Sequence, residues 1–127
     1  RTPLLVKSPG MEPYIRPIEI EAEGGRVFLP TSPEFALKKL LAGGLENIFQ
    51  LGPCFRHEPV SRTHFPEFTL LEWYETRRDY FQLMETTEQL IESVALAVHG
   101  KAEFVFGEKT IDVSTPWPRL SIEELFR

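Results

Sequence analysis

Two spacings of apolar residues organise this chain. Phe81, Met84, Thr87, Leu90, Ile91, Val94, Ala95 and Val98 recur at helical spacing and predict a helix over 80–98 with Asp79 as its cap. That stripe is expected to be core. The segment TSPEFALKKLLAGG predicts a second helix, capped by Thr31 or Ser32, with Pro33 in its first turn and Gly43-Gly44 at its end. Phe35, Leu37, Leu40 and Leu41 give it an apolar stripe. SIEELFR predicts the start of a last helix, with Ser121 and Glu124 forming a capping box.

Shorter apolar runs between glycines and prolines predict strands near 18–21 and 26–30, across ENIFQLG, and on both sides of Gly107-Glu108. The stretch CFRHEPVSRTHFPEFTLLEWYE, residues 54–75, reads as two strands around a polar turn. Such short connections make hairpins. The expected fold class is therefore α+β, an antiparallel β-sheet with flanking helices.

Composition narrows the function classes. At 127 residues and 42% hydrophobic, the chain suits one small domain or a piece of a larger one. No apolar run is long enough to span a bilayer, and no signal-peptide pattern is present, so no membrane partner is expected. A single cysteine, Cys54, cannot form an internal disulfide, which makes a reducing cytoplasm the expected location. A net charge of −5 lacks the basic footprint of a DNA-coating protein. The three histidines and one cysteine lack metal-ligand spacing, so no metal site is expected in this chain. Lys38-Lys39 reads as a solvated helix face, His99 as a cation at a helix C-terminus and Trp117 as a packing anchor.

The charges in the hairpin call for an explanation. Strand side chains alternate faces. Cys54, Arg56 and Glu58 therefore share one face, and Phe68, Leu70, Glu72 and Tyr74 share one on the returning strand. Charges beside aromatics on a sheet face are costly unless paired or reserved for a ligand. One reading is an internal Arg56–Glu72 ion pair. The other is a pocket. Its Arg56 fork would take a phosphate or carboxylate, its Glu72 and Tyr74 would take an ammonium, and its Phe68 would stack on a flat ring. Arg62 and His64 lie in the intervening loop, which either folds over a polyphosphate or is a solvated turn.

This stretch resembles motif 2 of the class II aminoacyl-tRNA synthetases in its lysine-type form. The resemblance extends to TSPEFALKKLLAGGLENIFQLG and TPLLVKSPGMEPYI upstream, and more weakly to PWPRLSIEELF downstream. Within the family, the TSPE and LEWY segments and the spacing of Arg62 and His64 are most similar to the branch that ligates lysine to elongation factor P.

The resemblance implies ATP-dependent activation of lysine or β-lysine as its adenylate, then transfer to a lysine of elongation factor P. Transfer to tRNA is the alternative, and a non-catalytic synthetase-like binding module is a third reading. Arg56 would touch the ATP α-phosphate and the amino acid carboxylate, making it the catalytic residue. Glu58 would bind the adenine amino group, Arg62 and His64 the outer phosphates, and Phe68 the adenine ring. Glu72 and Tyr74 would recognise the lysine ammonium, with Glu34 and Gly10 completing the amino acid site. Pro3 resembles the proline ending motif 1 at the dimer interface, so a homodimer is expected of the intact protein. Phe65 and His57 stand where the family usually has Asn. Most of motif 1, all of motif 3 and the Mg²⁺ ligands near it are expected outside residues 1–127, which would form a partial catalytic domain with little ligase activity by itself.

Overall fold

The computed structural model describes residues 1–10 and 12–127. It divides into two compact units, Arg1–Thr76 and Arg77–Arg127. The described strands form three two-stranded antiparallel sheets rather than one larger sheet. With the helices they make an α+β chain.

In the first unit, β1 (Glu19–Ala22) and β2 (Gly25–Phe28) form a hairpin whose turn places Gly24 and Gly25 at φ +100° and +116°, where a side chain would be strained. Val6 bridges to Phe28, so the N-terminal segment lies along β2. Helix α1 spans Glu34–Ala42. Pro33 is already near-helical at φ −81°, and Ser32 Oγ accepts from the Glu34 N–H at 3.2 Å. The N-cap is therefore Pro33 rather than Thr31 or Ser32 as expected, and Ser32 bonds the helix start from one residue further out. Thr31 is buried and donates to the Pro9 carbonyl at 3.1 Å, tying the N-terminal segment to this corner. Only Leu37 of the expected stripe is buried; Phe35 and Leu40 are exposed.

Strand β3 (Asn47–Phe55) and strand β4 (Glu67–Glu75) form a long hairpin. The stretch ENIFQLG and the start of the next expected strand are one element, running through Pro53. Phe55 N–H bonds to the Pro30 carbonyl at 2.9 Å, which anchors the end of β3 beside the start of α1. The two faces of the hairpin differ. Ile48, Gln50, Gly52 and Cys54 on β3 oppose Tyr74, Glu72, Leu70 and Phe68 on β4, and on this face Gln50 and Cys54 are buried. Phe49 and Leu51, on the other face, are 75% and 65% exposed. The polar face is therefore the covered one.

The second unit starts with α2 (Tyr80–His99), whose capping box is complete: Asp79 Oδ1 accepts from Gln82 N–H, and Gln82 Oε1 accepts from Asp79 N–H, both at 3.0 Å. Gly100 ends the helix in the left-handed region at φ +73°. His99, in the last turn of the helix, stacks on Phe104 with centroids 6.3 Å apart. Strands β5 (Glu103–Phe106) and β6 (Lys109–Asp112) pair around the Gly107 turn. Helix α3 (Ile122–Leu125) has the expected Ser121–Glu124 box.

The expected core stripe of α2 is buried only at Ala95, with Thr87 and Leu90 half-buried. Phe81, Met84, Ile91, Val94 and Val98 are exposed, and Phe81 and Met84 line an open groove with Trp117 and Leu120. The buried helix residues are Glu88 and Ala95, and the segment after β6 packs on Glu88 through polar contacts. Glu88 accepts from both Arg119 terminal nitrogens at 3.0 and 3.1 Å and from the Trp117 N–H at 2.7 Å. Thr115 adds a bond to Glu92 at 2.8 Å, and the Trp117 indole donates to the Val113 carbonyl at 3.0 Å.

These bonds hold the Glu88 carboxyl below the usual carboxylate range, Arg119 contributing most and the Trp117 N–H next. A carboxyl with a depressed folded-state pKa stabilises the fold above its unfolded value, and that contribution is lost as pH falls through the folded one. Glu88→Gln should therefore lower the melting temperature at pH 7. The gap to the parent protein should close as pH drops below the ordinary carboxylate range. A gap that stays constant with pH would show that the carboxylate charge is not what holds this segment.

Candidate functional site

The site is built on the covered face of the β3–β4 hairpin. Alternation along β4 puts Phe68, Leu70, Glu72 and Tyr74 in one row, as the sequence predicts. The Tyr74 hydroxyl donates to Glu72 Oε1 at 2.6 Å. Burial, and then this bond to an anion, push the phenol pKa well above its ordinary value. Tyr74 therefore stays a donor and fixes one carboxylate oxygen, leaving Glu72 with a net negative charge to offer.

Arg56 continues the row past the end of β3. Its backbone N–H bonds to the Pro66 carbonyl at 2.9 Å, so the backbone pairing extends one residue beyond the two strands. Its guanidinium carbon lies 4.9 Å from the centroid of the Phe68 ring, a cation–π contact. The Arg56–Glu72 ion pair offered by the sequence is not among the ion pairs of the described residues. Instead the Arg56 Nε–H is buried with no hydrogen-bond partner among the described residues. A buried guanidinium N–H left unpaired is costly, and an anionic ligand oxygen is the partner its chemistry fits.

Helix α1 brings Glu34 toward the same place. Glu34 and Glu72 both act on the Tyr74 hydroxyl and on the Lys38 ammonium, so the two carboxylates share one electrostatic neighbourhood. Lys38 bonds Glu34 Oε1 at 2.5 Å, which raises its pKa. Lys38 lies on a solvated helix face, as expected, and from there also touches a predicted site residue. Gly10 sits near the start of α1 at φ +109°, and a Cβ there would stand 3.2 Å from the Phe35 ring. The backbone conformation is therefore what favours glycine here, with Phe35 leaving little room for a side chain.

Three predicted residues lie outside this row. Strand β3 ends at Phe55, and the Glu58 N–H bonds back to the Arg56 carbonyl at 2.8 Å, a tight turn that breaks the two-residue alternation. Glu58 is therefore not on a strand face with Arg56, contrary to the expectation. His57 N–H goes to the Arg16 carbonyl at 2.8 Å instead. Arg62 and His64 are exposed in the loop between the strands.

Gln50 and Cys54 belong to the site face; the sequence reading placed Cys54 there but missed Gln50. Gln50 opposes Glu72, and its Oε1 accepts the Thr2 N–H at 2.7 Å. Extending the alternation of Cys54 and Arg56 backward would have found both Gln50 and Gly52. Cys54 is 2% exposed, and burial, followed by the Glu72 charge, raises its thiol pKa against a smaller opposing effect of Arg56. Its thiol should react with a disulfide reagent far more slowly in the folded protein than in urea. Equal rates would show that this face opens freely to solvent.

Among the described residues no group of three or more His, Cys, Asp or Glu side chains is placed to hold a metal ion. No described helix is long and apolar enough to cross a membrane.

The hairpin thus holds an arginine over a phenylalanine, with a tyrosine-braced glutamate further along the same face. The chain belongs to the family of class II tRNA synthetases (D, K and N), whose pattern matches residues 1–127. It is 41% identical over 104 residues to lysine–tRNA ligase 2 of Methanosarcina mazei, covering 82% of this chain and 20% of that protein. It is 43% identical over 100 residues to lysine–tRNA ligase 2 of Methanosarcina acetivorans, covering 79% of this chain and 20% of that protein. To lysine–tRNA ligase of Shewanella oneidensis it is 42% identical over 98 residues, covering 77% of this chain and 20% of that protein. The chain thus spans about a fifth of the length of these curated relatives.

Proposed function

We propose that the intact protein activates lysine with ATP and transfers it to tRNA. The Glu72–Tyr74 pair carries this reading: a carboxylate braced by a phenol at 2.6 Å, beside an arginine with an unpaired buried N–H, suits a cationic amino acid next to a phosphate. The names of the relatives reported above favour tRNA as the acceptor over elongation factor P, the acceptor the sequence resemblance suggested.

In this reading Glu72 and Tyr74 hold the side-chain ammonium, and Glu34 with the Gly10 backbone holds the α-amino end. Arg56 contacts the lysine carboxylate and the ATP α-phosphate together. A carboxylate oxygen bonds to the α-phosphorus while the bond to pyrophosphate breaks, and pyrophosphate leaves with the electron pair. The step joins two anions, so a guanidinium touching both lowers their repulsion and stabilises the charge that develops. Positioning supplies much of the rest. Adenine stacks on Phe68 through the ring face not turned to Arg56, with Glu58 accepting from its amino group. Arg62 and His64 take the outer phosphates. The Mg²⁺ that accompanies ATP in this family has no fitting cluster among the described residues, and no step is assigned to it.

The test is lysine-dependent exchange of pyrophosphate into ATP by the intact protein, followed by transfer assays with tRNA and elongation factor P side by side. Exchange with charging of tRNA supports the proposal. Exchange with transfer to elongation factor P alone would move the acceptor. Absence of exchange with either lysine isomer would leave a binding module.

A further inference from the structure

The loop between β3 and β4 contains a contact set that the reading above does not use. Ser61 N–H donates to the His64 carbonyl at 3.0 Å. Ser61 Oγ accepts from the His64 N–H at 3.1 Å and from the Thr63 N–H at 3.3 Å. The same Oγ lies 3.2 Å from His64 Nδ1, and Thr63 Oγ1 lies 2.9 Å from that nitrogen.

We propose that Ser61 is a positioning residue for the nucleotide, acting through His64 to present its Nε2–H to the outer phosphates of ATP. This rests on the proposed role of His64 as a phosphate contact. A hydroxyl has two acceptor lone pairs and one proton. Two backbone N–H groups use both lone pairs of Ser61 Oγ, so toward Nδ1 this hydroxyl can only donate, whereas the Thr63 hydroxyl can donate or accept; donation from Ser61 is the arrangement proposed. Nδ1 is then the acceptor, and in a neutral imidazole the ring hydrogen resides on Nε2. That nitrogen, on the opposite side of the ring from the two hydroxyls, becomes a donor. A phosphate oxygen only accepts, so this tautomer can bind it and the other would face it with a lone pair. The backbone bonds to the same Oγ hold the turn that aims the ring.

Steady-state exchange kinetics on the intact protein test this. Ser61→Ala should raise the KM for ATP roughly five-fold, the order of one lost hydrogen bond, while the KM for lysine stays within about two-fold. Ser61→Thr keeps the hydroxyl and should restore most of the loss. In a His64→Ala background, Ser61→Ala should have no further effect, because coupled residues are not additive. An undiminished Ser61→Ala effect in that background, or failure of Ser61→Thr to rescue, would make Ser61 a structural loop residue and overturn the proposal. Should His64→Ala raise the KM for ATP while Ser61→Ala does not, only the Ser61 role fails. Should His64→Ala leave that KM unchanged, the phosphate role of His64 fails and the proposal with it.

Discussion

Arg56→Ala should reduce lysine-dependent pyrophosphate exchange by the intact protein by roughly 100- to 1000-fold in kcat, the range for removing one preorganised transition-state contact. The loss should fall mainly on kcat, because the charge that Arg56 offsets is greatest as the carboxylate reaches phosphorus. Its placement supports this weight. The guanidinium rests on the Phe68 ring, and its buried Nε–H has no described protein partner to satisfy it. Arg56→Lys should recover little. An ammonium keeps the charge but cannot hold the planar fork that spans two anions. The substitution removes a part-buried side chain, so a melting curve should accompany the kinetics. An Arg56→Lys variant with near-parental kcat would show that charge alone suffices and that the fork has no special part.

Much of this fold follows from local chemistry and could be read from the sequence. The Asp79 and Ser121 caps with their Gln82 and Glu124 partners, the Gly107 turn and the bounds of β4 all depend on neighbours a few residues away. The row Phe68, Glu72, Tyr74 was legible for the same reason, since alternation needs only a strand. Features set by distant partners were not. The strand across ENIFQLG and the one starting at Cys54 were read as separate, yet proline is tolerated in a strand with one partner, and β3 runs through Pro53 beside β4. Glu58 looked like a strand residue until the turn at His57 ended the alternation. The exposed stripe of α2 shows the same limit from the other side. Spacing locates an apolar face but does not say what packs there, and the second unit buries the charged Glu88 alongside Ala95 and Val113. Lys38 is in solvent as its sequence neighbours suggested; its i,i+4 bond to Glu34 is a further local feature of the helix.

Glu72→Gln should raise the KM for lysine by about 30-fold to a few thousand-fold and leave the KM for ATP within about two-fold. That range corresponds to about 2–5 kcal/mol for truncating one partner of a desolvated charge pair. The amide keeps the shape of the side chain and can still accept the Tyr74 hydroxyl, so the change isolates charge from packing. What disappears is the attraction for an ammonium and the reason to prefer it over a methyl group. Selectivity for lysine over norleucine, its uncharged analogue, should therefore collapse with the KM effect. Glu72→Lys should go further and abolish lysine recognition by placing like charges together. Glu34 offers an internal comparison, because it shares the electrostatic neighbourhood of Tyr74 and Lys38 but is assigned the other end of the substrate. Glu34→Gln should weaken lysine and norleucine about equally, since both carry the same α-amino group. If instead Glu34→Gln removed the preference for lysine and Glu72→Gln did not, the substrate would lie in the opposite direction along the hairpin, with its ammonium toward α1.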